Sequence, residues 1–165
     1  MIPAALGWEL TQAHRDNEAI TPLKRALELE PDFVIAHMNL ALLYNNIGKG
    51  DLAIAESRRA IELGYPFGQS LLAESYAAAG RKSEAAAPLK EAIEQSKRSH
   101  TGAISIAFAF DALGDKNQAF NWLEESYKER EAFLVFLNAW PFHNEAWRTD
   151  PHFQALVRRI GIPTQ

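Results

Sequence analysis

Small side chains return along this chain in a set order, and no other feature restricts its fold as strongly. Gly7, Ala41, Ala73 and Ala107 are separated by 34, 32 and 34 residues. Twelve residues after each stands an alanine: Ala19, Ala53, Ala85 and Ala119. A third small site follows at Ala26, Ala60, Ala92 and Ser126. Large residues keep step with them. Leu6, Leu40, Leu72 and Ile106 precede the first small site, and Leu10, Tyr44, Tyr76 and Phe110 follow it. Leu23, Ser57, Leu89 and Leu123 come between the second and third sites.

Helical geometry explains the spacing. Leu40, Ala41 and Tyr44 share one side of a helix, and so do Ala53, Ser57 and Ala60. Gly48-Lys49-Gly50-Asp51 lies between these two runs. Gly48 can take the left-handed conformation that ends a helix, and Asp51 is expected to cap the next. Gly80 and Gly114 recur at the same place, where His14 stands in the first unit. Small residues let two helix axes approach while leucine and tyrosine fill the space around them. One such hairpin cannot bury its apolar face alone, so it needs stacked neighbours.

At these residues the chain resembles the tetratricopeptide repeat family. Leu6-Gly7, Leu10, Ala19, Leu23, Ala26 and Pro31 follow its pattern, as do Ile106-Ala107, Phe110, Ala119, Leu123 and Ser126. The departures are mild. Pro3, His37, Gln69 and Ala103 stand where the family has a tryptophan, and Ser57 replaces a large apolar residue. The third unit arrives two residues early, so the loop at Gly64-Tyr65-Pro66 is expected to be tightened. The resemblance implies an all-α fold, a right-handed superhelical solenoid of four repeats over about 1–33, 34–65, 66–99 and 100–131. A helical cap would then occupy 132–165.

Details along the chain follow the same reading. Pro22 and Pro88 take equivalent places in two second helices and are expected on an outer face. Ser83 is expected to cap a helix, Lys97-Arg98-Ser99-His100 to form a solvated linker, and Asp115 and Asn117 to make the last turn. In the tail, Phe133-Leu134-Val135-Phe136-Leu137 is apolar throughout and is expected to be buried. Asp150-Pro151 starts a helix whose Phe153, Leu156, Val157 and Ile160 share one face.

The tail also resembles the C-terminal end of repeat regions attached to bacterial nucleotide cyclases, serine/threonine kinases and winged-helix regulators. Leu134 to Leu137 and Trp147 to Gly161 carry that likeness, while Asn144-Glu145 departs from the family's acidic-Pro pair. It implies a bacterial regulatory protein with an effector domain upstream. The first repeat begins almost at Met1. The chain therefore reads either as the C-terminal part of a longer protein or as a short protein with a ragged first repeat.

Composition narrows the function. Among 165 residues there is no cysteine, which excludes disulfides, thiolate metal sites and a cysteine nucleophile. A net charge of −4 argues against general binding to nucleic acid or to anionic membranes. No apolar run approaches the ~20 residues that span a bilayer, so no membrane insertion is expected. The start lacks the basic residues of a signal peptide. Compartment stays open: cytoplasmic is the expectation, periplasmic if the chain ends a membrane-anchored protein.

In such a stack the first helices line the hollow face. Ala4, Trp8, Met38, Leu42, Ser70, Glu74, Ile104 and Phe108 point there, with Thr11, Asn45, Ala77 and Asp111 one turn further. The candidate groove is Trp8, Met38, Leu42, Asn45, Glu74, Ile104, Phe108 and Asp111, apolar in the middle with Asn and acidic groups at one rim. It suits an amphipathic helix or extended peptide. Trp8, Met38, Leu42 and Phe108 would be the anchors, and glutamate at Leu42 or Phe108 is expected to abolish binding without unfolding. The family's grip on a peptide carboxylate is rejected: Asn39 matches, but Ala4, Trp8, Phe67 and Leu71 occupy its other places.

Chemistry finds no constellation. His14, His37, His100, His143 and His152 are scattered, with only His143 and His152 near each other around Glu145. There is no phosphate loop and no nucleophile elbow. The expectation is a non-catalytic protein–protein interaction scaffold with no cofactor, no metal and a protein or peptide partner. The alternative is a module that self-associates into a homo-oligomer.

Overall fold

A computed structural model describes Gly7, residues 9–11, residues 15–137, Trp147 and residues 149–161. Among the described residues every regular element is a helix. They are α1 (Asp16–Leu29), α2 (Val34–Asn46), α3 (Gly50–Glu62), α4 (Gly68–Ala78), α5 (Lys82–Ser99), α6 (Ala103–Leu113) and α7 (Lys116–Lys128), then a 3-10 segment (Ala132–Phe136) and α8 (Pro151–Ile160). Gly7 and residues 9–11 are helical as well.

Helices pair with their chain neighbours: α2 with α3, α4 with α5, and α6 with α7. The pairs are joined through α3 on α4, α2 on α4 and α4 on α6. Hence α2, α4 and α6 touch one another in a row. The recurring alanines explain how the axes come so close. Ala19, Ala41, Ala53, Ala60, Ala73, Ala85, Ala107 and Ala119 are all fully enclosed. A β-carbon on Gly7 would fall 2.6 Å from Leu23 Cγ, so the first unit needs glycine where the others hold alanine.

The core is a series of clusters between successive pairs. One joins Ala19 and Leu23 of α1 to Leu40, Leu43 and Tyr44 of α2. A second joins Ile54 of α3, Leu72 and Tyr76 of α4, Leu89 of α5 and Ile106 of α6. A third packs Ile104 and Leu123 against Leu134, Leu137, Trp147, Phe153, Leu156 and Val157. The tail thus lies on the last pair and covers its apolar side.

Several polar residues in this interior are matched. Ser57 donates to the carbonyl of Ala53 (2.9 Å) and lies 2.9 Å from the hydroxyl of Ser75 on the next helix. That bond is why a serine is tolerated where a large apolar residue was expected. The buried His37 ring reaches Glu56 (2.6 Å) and the carbonyl of Pro31 (2.9 Å), tying α2 to α3 and to the loop before it. Glu131 accepts from the backbone N–H groups of Ala103 (2.9 Å) and Ile104 (3.0 Å) and from the Ser126 hydroxyl (2.5 Å). One carboxylate therefore closes the first turn of α6 and anchors the start of the tail.

Several local expectations are corrected. Asp51 and Ser83 do not cap; Lys49 and Arg81 hold the N-cap positions, with no side-chain bond. Gly50 is the first residue of the helix, and glycine is needed there because a β-carbon would meet that of Ala79 at 2.5 Å. Pro88 is buried rather than on an outer face. The linker at residues 97–99 is the last turn of α5, where Lys97 and Arg98 sit well at the negative end of the helix dipole. The loop before α4 is not tightened: residues 63–67 connect there, against 30–33 before α2. The shortening falls in α4, 11 residues long against 13 for α2. In the tail, Leu134 and Leu137 are buried, but Phe133 is 50% and Val135 57% exposed. The 3-10 turn spreads its side chains round the axis, so only part of the run reaches the core. Asp115 caps α7, accepting from Gln118 N–H at 3.1 Å. Asp150 caps α8, with Pro151 in the first turn.

Candidate functional site

The row of first helices carries a cavity of about 810 Å³. Met38 and Leu42 line it from α2, with Asn39 beside them. Leu71 and Glu74 come from α4, and Ile104, Ser105 and Phe108 from α6. Three further segments complete the wall. Phe33, Val34 and Ile35 stand at the start of α2, Tyr65, Pro66 and Phe67 in the loop before α4, and Phe133 in the 3-10 turn. Its lining is apolar apart from Asn39, Tyr65, Glu74 and Ser105. Tyr65 and Phe67 meet edge to face, with ring centroids 5.8 Å apart.

Of the residues expected to form a groove, Met38, Leu42, Glu74, Ile104 and Phe108 are brought together here. Asn45 is not in the wall, but its amide approaches Glu74 Oε1 at 3.5 Å, a long contact. Asp111 is taken up elsewhere: it accepts from the indole N–H of Trp147 at 2.6 Å and so binds the tail. Trp8 and Ala4 lie outside the described residues, as do His14, His143 and Glu145. Ser70 and Ala77 do not face the cavity. Ser70 is buried, bonds the carbonyl of Phe67 (3.0 Å) and lines a small space of about 140 Å³ on the other side of α4.

Leu42 is 8% exposed and packs with Ala41 and Leu71. Phe108 packs on the third core cluster and lies 6.3 Å from the Trp147 ring. Both belong to core and wall at once, so glutamate at either costs stability as well as binding. Met38 and Phe133 are more open wall residues, the first partly buried against Leu42 and Leu71 and the second 50% exposed.

Reading the helix phase missed the aromatics. Phe33, Tyr65, Phe67 and Phe133 come from loops and from the tail, where no repeat period predicts a direction. The clue lay in Tyr65-Pro66-Phe67 at the point where the third unit comes early.

Glu74 is the one acidic side chain in the described wall. Burial pushes its carboxyl up to about 7, opposed by the Asn45 amide and assisted by the charge of Asp111. Tyr65 is pushed up to about 12, first by burial and then by Glu74. Asp111 is also raised by burial, and its Trp147 bond and Lys116 offset this in part. No lysine, arginine or histidine lines the cavity among the described residues. Asn39 is 2% exposed, and its Oδ1 has no hydrogen-bond partner among the described residues; nor does Oδ1 of Asn45.

Among the described residues no group of three or more His, Asp or Glu is placed to hold a metal ion. No described helix is long and apolar enough to cross a membrane. Compared with known proteins, the chain matches no family model and no curated protein.

Proposed function

We propose that this chain is a non-catalytic interaction scaffold of the tetratricopeptide kind. Its four hairpins over 1–131 wind as a right-handed superhelical solenoid, and the tail serves as the cap. It works by equilibrium binding of a peptide or helix in the cavity along α2, α4 and α6. One observation carries the reading: an apolar cavity of about 810 Å³ runs over three successive first helices and has aromatic residues at its edges. Its volume falls in the range of binding sites, and its aromatic and methionine lining is the composition of protein contacts. A regulatory role beside a bacterial effector domain goes with this reading through the likeness of the tail.

The test removes the grip without adding charge. The double variant Met38→Gln/Phe133→Ser is expected to lose at least tenfold in affinity for peptides selected on the parent chain, measured by fluorescence anisotropy. Its melting temperature should stay within a few degrees. Unchanged affinity would overturn the cavity as the binding site.

Self-association is the second reading. Leu29 (64% exposed) and Leu52 (47% exposed) lie outside the cavity and favour it. Light scattering across a concentration series separates the two. A monomer that binds peptide supports the first, and a mass that rises with concentration supports the second.

A further inference from the structure

The binding reading names a cavity but no ligand chemistry, and the polar atoms in its wall carry that further. The geometry points to a lysine side chain, borne on an otherwise apolar peptide segment, as the group the cavity receives, with Glu74 as its partner. The inference rests on the proposed binding role.

Three observations converge. The first is charge. Glu74 is the only acidic group in a wall with no cationic side chain among the described residues, and it enters none of their ion pairs. The groups facing it from neighbouring elements are Asn45 on α2, Asp111 on α6 and Tyr65 in the preceding loop. None is a cation; Lys116 acts on Asp111 and not on Glu74. A carboxylate held in apolar surroundings is costly until a cation meets it.

The second is unmet acceptor capacity. Oδ1 of the wall residue Asn39 is buried with no partner among the described residues, and so is Oδ1 of Asn45, whose amide nitrogen approaches Glu74 from outside the wall. Such groups are satisfied in most proteins. An ammonium offers three donors and accepts nothing.

The third is the shape of the wall. Asn45 approaches Oε1 of Glu74, and Oε2 makes no hydrogen bond within the described protein. A carboxylate approached on one oxygen suits a compact ammonium better than the two-pronged guanidinium. Phe33, Tyr65, Phe67 and Phe108 supply aromatic rings that attract cations. Met38 and Leu42 give an apolar track for the four methylenes of a lysine stem.

The test uses the full chain and a display library of random heptapeptides, selected at pH 8. Enriched sequences should carry one lysine among aliphatic and aromatic residues. A synthetic peptide from that pool should lose at least tenfold in affinity when its lysine is replaced by norleucine. On the Glu74→Gln variant the same replacement should change affinity less than twofold. For the parent chain, affinity should weaken about tenfold from pH 8 to pH 6 as Glu74 takes up its proton, and Glu74→Gln should be flat. The norleucine comparison is made on the parent chain, so it stands even where the variant folds poorly.

Enriched peptides without lysine, or norleucine binding as well as lysine, would overturn the lysine assignment and leave the peptide cavity standing. Arginine binding as tightly as lysine would overturn the choice of ammonium. Hexylammonium chloride alone binding as tightly as the peptide would make the occupant a small amine, again against the proposal. No enrichment over the Met38→Gln/Phe133→Ser variant would overturn both the inference and the binding role beneath it.

Discussion

Glu74 is the residue at which stability and binding are opposed. An ordinary glutamate releases its proton near 4.5, whereas this one holds it to about 7. The folded chain therefore binds more protons than the unfolded chain between those values. Stability falls as pH rises from about 4.5 to about 7, and is level above that. Glu74→Gln should remove this slope and raise stability at pH 8 by roughly 1–3 kcal/mol. Thermal melts of both proteins at pH 5 and pH 8 check it; parallel curves at the two values would refute it. Ser57 shows a milder case. Its hydroxyl has two partners inside the core, so a polar residue stands there at little cost.

At the scale of the element, close approach and capping decide what each helix tolerates. Ala53 is fully enclosed between α2 and α3. Ala53→Leu forces the axes apart and is expected to cost about 1–3 kcal/mol in urea unfolding. Ala53→Ser fits the space and should cost less. Glu131 serves two elements, holding the open N–H groups of α6 and the beginning of the tail. Glu131→Ala should cost about 1–3 kcal/mol, since it leaves two backbone donors and the Ser126 hydroxyl without their acceptor. Hydrogen exchange at Ala103 and Ile104 should rise with it. Exchange unchanged at those amides would show that the cap is dispensable. Gly48 at φ 70° illustrates the turn between paired helices: with no β-carbon it adopts the left-handed conformation freely.

For the molecule as a whole, each core cluster joins pairs that follow one another along the row, none reaching from the first to the last, so stability is expected to be largely local. The tail contributes six large buried side chains to the last cluster: Leu134, Leu137, Trp147, Phe153, Leu156 and Val157. Each is worth about 1.5–3 kcal/mol on burial, a sum comparable with the net stability of about 5–15 kcal/mol typical of a domain. A chain ending at Glu131 is expected to lose exchange protection in α6 and α7 while α1 to α3 keep most of theirs. Uniform loss along the chain would show one cooperative unit instead.

Periodic small residues by themselves determine most of the helical pattern of this chain. A helix repeats its faces at 3.6 residues, so enclosed alanines, turn glycines and the helical character of each segment follow from spacing alone. Met38, Leu42, Glu74, Ile104 and Phe108 came from the same arithmetic, because side chains on equivalent faces of stacked helices must converge. Loops and tail obey no such period. Tertiary packing alone turned Phe33, Tyr65, Phe67 and Phe133 to one cavity, gave Asp111 to Trp147, and sank Glu74 into apolar surroundings. Those outcomes depend on contacts between residues far apart in the chain, and on the water that such contacts exclude, which no local pattern of residue types encodes.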